Sequence, residues 1–291
     1  MKKTSKIVAV VVSALLVVAA LFVFAACGTK YTGEAKYENA WVKGTYYGAK
    51  VDVTVNGDTI TAIKLYTDEE TGWTRTSGSW KENDHPGDLG FDKAEAAYDS
   101  WLDETFVGKD IAEVLSWSAS ATQKDQTVGA GVPKIAGATQ SSARIICAVQ
   151  NALEQIEGIT KVTGEYNYEN AWSAGSYYGA KVDVYLRDGS ILAVKLYQDD
   201  ETGWTRTSEG WKEGQNTGDL GFAKAEAAYA QWMKNAFVGK TPAEVNAYTA
   251  NMDLTAHTQS VTPASANLAG ATQSAVRIIK AVQYALTKLP A

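Results

Sequence analysis

The sequence predicts an α+β fold of two tandem repeats, each a small antiparallel sheet packed with helices, behind an N-terminal lipoprotein signal peptide. Three observations carry this reading. Residues 44–81 recur as residues 175–212, with 25 of 38 positions identical. The run AGATQSSARII at residues 136–146 returns as AGATQSAVRII at residues 269–279. Within each copy, apolar residues alternate with polar ones and then shift to helical spacing. The offset of 131 (175 against 44) is held over most of the unit, so this is a duplicated module and its chemistry is expected twice.

The first element is not part of that fold. Lys2, Lys3 and Lys6 precede an apolar stretch, residues 7–26, interrupted only by Ser13. Phe24, Ala25, Ala26 and Cys27 follow, and small residues before a cysteine are the pattern of a lipoprotein signal, with Cys27 lipidated (palmitate) after cleavage. The alternative is a retained transmembrane anchor, since twenty apolar residues can span a bilayer. Either way the body is expected on the extracellular face of the cell membrane. The implied division is residues 1–26 as signal peptide, 27–158 as the first repeat and 159–291 as the second. Cleavage removes three lysines and moves the formal net charge from −6 to −9, which argues against nucleic acid or an anionic membrane surface as partner. Cys147 is then the one cysteine besides Cys27, so no intramolecular disulfide is expected. Its repeat counterpart is Lys280, which marks a structural residue rather than a shared thiol. His85 and His257 are not counterparts and have no metal-ligand spacing around them, so no metal site is expected.

Each unit then reads strand, turn, strand, helices. Tyr47, Ala49, Val51, Val53 and Val55 alternate with Lys50, Asp52 and Thr54, a strand with one buried face. Asn56-Gly57 suits a tight hairpin turn, and the second copy uses Asp188-Gly189, one residue out of step. Thr61, Ile63 and Leu65 are expected on one face of the returning strand, as are Leu192, Val194 and Leu196. Residues 93–106 and 224–237 carry apolar residues at helical spacing, with Gly108 and Gly239 as stops. The last helix, predicted over residues 141–153 and 274–286, starts at or just after a Gly-Ala-Thr tripeptide.

That tripeptide is where chemistry is expected. Gly137-Ala138-Thr139 and Gly270-Ala271-Thr272 place a hydroxyl before a helix, on a turn that another group can approach closely. The free N–H groups and positive dipole end of the first helical turn favour a phosphate. Ser141 and Ser274 offer further hydroxyls, and Arg144 and Arg277 lie one turn on. By itself the hydroxyl is equally read as a helix cap.

The unit resembles the FMN-binding domain family, which includes subunits of membrane redox complexes. The family pattern runs G-x-Y-x-G, V-x-V-x-V, a turn, I-x-x-V-x-L, ET, F-x-G-K and S/T-G-A-T. Its elements stand here as Gly44, Tyr46 and Gly48; Val51, Val53 and Val55; Ile60, Ile63 and Leu65; Glu70-Thr71; Phe106, Gly108 and Lys109; and Gly137-Ala138-Thr139, with counterparts through Thr272. Ala136 and Ala269 stand where the family has Ser or Thr. The resemblance implies that a flavin transferase joins FMN through its phosphate to the threonine. That gives two covalent FMN groups, on Thr139 and Thr272, with Ser141 and Ser274 as fallback acceptors. Tyr46 and Tyr177, Trp73 and Trp204, and Arg75 and Arg206 are candidates around the flavin ring, because ETGWTRTS is identical in both copies and too polar for a core strand. Loop packing explains the two tryptophans equally well.

A lipid-anchored pair of such domains is similar to the lipoproteins of flavin-based extracellular electron transfer. That similarity implies an electron-transfer flavoprotein rather than a stand-alone catalyst. Electrons would come from a membrane NADH dehydrogenase through a quinone and leave to ferric iron or extracellular reductases. The alternative, from another class, is a non-redox solute-binding or cell-wall interaction lipoprotein with duplicated binding modules.

Overall fold

The computed structural model describes residues 28–38, 46–66, 91–122, 126–129, 131–136, 138–169, 177–197, 222–253 and 258–290. Strands β1 (Thr29–Glu38), β2 (Tyr46–Asn56) and β3 (Thr59–Tyr66) form an antiparallel sheet in the order β1-β2-β3. Helices α1 (Phe91–Phe106) and α2 (Ile111–Ser116), the short hairpin β4 (Ala119–Ala121)–β5 (Gln126–Val128) and helix α3 (Thr139–Leu153) complete the first half. The same order recurs as β6 (Thr160–Glu169), β7 (Tyr177–Arg187), β8 (Ser190–Leu196), α4 (Phe222–Phe237), α5 (Pro242–Asn246), β9 (Thr249–Asp253), β10 (Thr258–Thr262) and α6 (Thr272–Leu286), with a short 3-10 turn at Ala264–Ala266. The fold class is therefore α+β, with small antiparallel sheets and helices packed on them.

The alternation in β2 does what the pattern requires. Val51, Val53 and Val55 are buried under α3, together with Ile145, Ile146, Val149 and Leu153. Val182, Val184 and Leu186 meet Ile278, Ile279, Val282 and Leu286 of α6 in the same way. The helix comes close because glycine stands on the middle of β1 and β6. A Cβ on Gly33 would lie 2.0 Å from the Ala148 carbonyl oxygen, and one on Gly164 would lie 2.0 Å from that of Ala281.

Two details of the hairpins differ from expectation. The turn residues are Gly57-Asp58 and Asp188-Gly189, since Asn56 pairs with Thr59 and Arg187 with Ser190; the two turns are in step, and no slip exists between them. Gly57 takes φ 59° at the first turn position, whereas Asp188 (51°) and Gly189 (76°) are both positive, the pattern of a type I′ turn. The second difference is a bulge in each sheet, between Thr54 and Val55 and between Tyr185 and Leu186. A bulge shifts the two-residue alternation by one. Ile60 therefore shares the core with Ile63 and Leu65, while Thr61 is exposed. Likewise Ile191 joins Val194 and Leu196, and Leu192 packs with the other core.

The two halves stack. The face of the second sheet turned away from α6 carries Tyr185 and Ala193, and both are buried in the core formed by α3. The layers thus run sheet, helix, sheet, helix, with α2 and α3 between the two sheets. Polar groups pin this contact. Lys195 Nζ donates to Gln150 Oε1 (2.8 Å), Tyr185 donates to Glu154 Oε1 (2.9 Å), and Ser118 Oγ donates to the Leu196 carbonyl. Arg187 grips Asp58 with two 2.6 Å hydrogen bonds, joining hairpin to hairpin. The matching face of the first sheet has no such cover among the described residues, so Ala62 and Lys64 are exposed where Ala193 and Lys195 are buried.

Candidate functional site

Each Gly-Ala-Thr run ends on the first residue of a helix. Thr139 opens α3 and Thr272 opens α6, each two residues before the predicted 141 and 274. The N-cap positions are Ala138 (φ −136°, ψ 41°) and Ala271 (φ −143°, ψ 38°), nearly the same geometry in both halves. No side chain caps either helix. The threonine hydroxyls are therefore not spent on the capping role that was the competing explanation for them. Thr139 and Thr272 are half-buried, with the uncapped first-turn N–H groups of each helix beside them.

The turn before the helix is held by its own backbone. Ala138 N–H donates to the Ile135 carbonyl, and Ala271 N–H donates to that of Leu268. In the first half Ser142 adds a stitch, accepting from Ile135 N–H and donating to the Ala138 carbonyl. Ala275 replaces that serine in the second half and is fully buried. Gly270 takes φ 76°, a left-handed conformation that glycine adopts freely. Gly137 lies outside the described residues.

The second turn of each helix carries a buried guanidinium. Arg144 and Arg277 are only 8% and 6% exposed, and each donates to the serine one turn back, Arg144 Nη2 to Ser141 Oγ and Arg277 Nη2 to Ser274 Oγ, both 3.0 Å. Ser141 and Ser274 are thereby buried and engaged, which leaves the threonine oxygens as the more accessible hydroxyls. A fixed positive charge, a helix N-terminus without a side-chain cap and a reachable hydroxyl form a site suited to a phosphate ester. That chemistry fits FMN held through its phosphate. Tyr46 and Tyr177 begin β2 and β7, and their side chains lie outside the described residues, as do Trp73, Trp204, Arg75 and Arg206.

One pair of clusters escaped the sequence reading. On the other face of the first sheet, Asp52 accepts from Thr32 Oγ1 (2.6 Å), the Tyr66 hydroxyl (2.6 Å) and Lys30 Nζ (2.9 Å). In the second sheet Asp183 accepts from Thr163 and from Tyr197. Burial raises the Asp52 carboxyl, but its hydrogen bonds from Thr32, Tyr66 and Lys30 outweigh that and hold it at about 2. Burial and then the Asp183 charge push the Tyr197 hydroxyl well up, so it stays a donor. Each tyrosine ring also sits beneath two lysines, Lys50 and Lys64 over Tyr66, Lys181 and Lys195 over Tyr197. The clusters fasten the end of the third strand in each sheet. The available signal was the charged residue inside KVDV and the KLY that follows, both identical in the two copies.

A sheet backed by a helix that opens on an uncapped threonine, with a buried Arg–Ser pair in its first two turns, is an α+β module suited to a phosphate. Residues 46–154, spanning β2 through α3, match the family model of the FMN-binding domain. The match supports a flavin-binding module over that segment, with FMN as the cofactor it would take. No curated protein and no solved structure matched the chain. Among the described residues no helix is long and apolar enough to cross a membrane, and no group of His, Cys, Asp and Glu could hold a metal ion.

Proposed function

We propose that this protein is a lipid-anchored extracellular electron-transfer flavoprotein bearing two FMN groups, joined through their phosphates to Thr139 and Thr272 by a flavin transferase. The observation that carries this reading is the repetition of one arrangement, an uncapped threonine at the first helical position followed by a buried Arg–Ser pair, once inside the matched segment and once 133 residues on (272 against 139). Cys27 is the lipidated residue in this reading. The electron donors are a membrane NADH dehydrogenase and quinone, and the acceptors are ferric iron or extracellular reductases.

The bound flavin supplies the redox chemistry. The chain's own residues bind and orient it. Backbone N–H groups of the first helical turn and the Arg144 or Arg277 charge favour the phosphate, and the threonine oxygen provides the covalent tether. A tether suits a protein outside the cytoplasm, where a dissociated FMN has no pool from which to return.

Intact mass of protein made together with a flavin transferase tests this directly. Two FMN additions are expected, one lost in Thr139→Ala and the other in Thr272→Ala, with Ser141→Ala and Ser274→Ala retaining both. An unmodified mass would turn the reading toward a binding lipoprotein without redox function.

A further inference from the structure

The hydrogen bonds of α3 define how the two halves are oriented. Toward the first sheet, Asn151 Nδ2 donates to the Glu34 carbonyl and Gln155 Nε2 to that of Thr32, so β1 runs against the helix direction. β2 is antiparallel to β1 and β3 to β2, so β3 also runs against α3. Toward the second sheet, Glu154 meets Tyr185, which pairs with Ala193, and Gln150 meets Lys195. Passing from 154 back to 150 on the helix thus passes from 193 forward to 195 on β8. β8 therefore runs against α3 as well, in the same direction as β3. The two halves are related by a shift along the stack, without reversal.

Two further contacts agree. Arg187 in the second hairpin holds Asp58 in the first, so the hairpins share one edge. α6 lies on its sheet as α3 does on its own: the Gly164–Ala281 approach repeats Gly33–Ala148, and Lys288 Nζ reaches the Thr163 carbonyl where Gln155 reaches that of Thr32. The first residues of both helices, Thr139 and Thr272, therefore emerge together at the edge opposite the hairpins. Layers spaced about 10 Å apart put equivalent points two layers, or roughly 20 Å, from each other. The chain enters at the hairpin edge. Thr29 pairs with Val55, and a Cβ on Gly28 would lie 2.5 Å from the Val55 carbonyl oxygen, so residue 28 is packed there and residue 27 is bonded to it.

We propose that both flavin attachment points share one edge of the stack, at a fixed spacing, on the side facing away from the lipid anchor. This rests on the reading of Thr139 and Thr272 as flavin acceptors and of Cys27 as lipidated. With about 3.3 Å of rise per residue over the ten residues of β1, the flavin edge stands roughly 30 Å from the anchored edge. The partner it fits is one that approaches from the aqueous side, with its redox group above the bilayer, and that meets both flavins on a single surface.

Spin labels on the lipidated, flavin-loaded full chain test this in a Cys147→Ser background. Gln140→Cys and Gln273→Cys leave both threonines in place. Dipolar spectroscopy on the doubly labelled protein is expected to give one narrow population near about 20 Å. A broad distribution, or one centred at about 30 Å or beyond, as a reversed stack would set the ~22 Å length of a 15-residue helix at right angles to the ~20 Å stacking, overturns the proposal. In vesicles of phosphatidylcholine with a nickel-chelating lipid, a label at Thr59→Cys in the first hairpin should relax several-fold more strongly than labels at 140 or 273. Equal or inverted relaxation, or protein that does not stay on the vesicles, overturns the anchor-distal placement. Intact mass of the same samples keeps the two questions apart, since missing FMN overturns the flavin reading and a wrong label distance overturns the stacking.

Discussion

Gln150 shows how a single side chain takes a different load in each half. Its Nε2 donates to the carbonyls of Val114 and Trp117, and its Oε1 accepts from Lys195 of the second half. Gln283 makes the first two bonds, to Val245 and Tyr248, and its counterpart lysine, Lys64, lies exposed on the far sheet. Gln150→Leu should strand the Trp117 carbonyl and a buried ammonium, whereas Gln283→Leu strands the Tyr248 carbonyl only, since the Val114 and Val245 carbonyls keep backbone N–H donors. Chemical denaturation is expected to show the first variant less stable than the second by about 1–3 kcal/mol. Asp52 gives a prediction in pH. Its carboxyl titrates at about 2 in the fold against 3.8 in its reference state, so its contribution is present above about pH 4 and is lost as pH falls toward 2. Asp52→Asn should cost about 2 kcal/mol at neutral pH and flatten that part of the acid limb in a series of urea melts. The threonines were legible because a hydroxyl before an apolar run is a local pattern. The Asp52 and Asp183 clusters were not, because their partners come from neighbouring strands and only the pairing register brings Thr32, Asp52 and Tyr66 together.

The elements were largely written in the periodicity. Val51, Val53 and Val55 announced a strand, Tyr98, Leu102 and Phe106 a helix, and Gly108 its end, where φ is 84°. What periodicity could not show was the bulge beside Val55, since an inserted residue changes which side chains share a face while leaving composition untouched. The first turn pair was misplaced for a related reason, while Asp188-Gly189 stands where it was expected. Asn-Gly is a strong hairpin signal, but the register set by the valines centres the turn one residue later, on Gly57-Asp58. The seating of helix on sheet depends on one position per half. With a Cβ at Gly33 only 2.0 Å from the Ala148 carbonyl and 2.5 Å from the Ala152 nitrogen, backbone rather than a flexible side chain would have to yield. Gly33→Ala and Gly164→Ala should each cost about 3 kcal/mol or more in thermal or urea unfolding. Gly57→Ala, which meets nothing within 4 Å, tests strain alone and should cost about 1–2 kcal/mol through its φ of 59°.

At the scale of the molecule, the copies differ where they touch. Tyr185, Arg187, Leu192 and Glu154 serve the contact between halves, and their counterparts are Thr54, Asn56, Thr61 and Thr287. An alignment of the copies shows these exchanges without a cause. The cause is that one sheet face is covered and its twin is open, so Gln150 is buried where Gln283 is half-buried. Tyr185→Phe should cost about 1 kcal/mol by removing the donor to Glu154 Oε1, whose other oxygen keeps Lys161, and Tyr185→Ala about 3–4 kcal/mol by hollowing the contact, both measured in the full chain. The ties of α3 to the second sheet also rank the molecule by how it breathes. Both helices lie under their own sheet and a short hairpin, but among the described residues α3 alone is also held by the other half's sheet, through Gln150 and Glu154. Deuterium uptake should therefore be slowest across Thr139–Leu153 and measurably faster across Thr272–Leu286, and Tyr185→Ala should bring the two helices to the same rate.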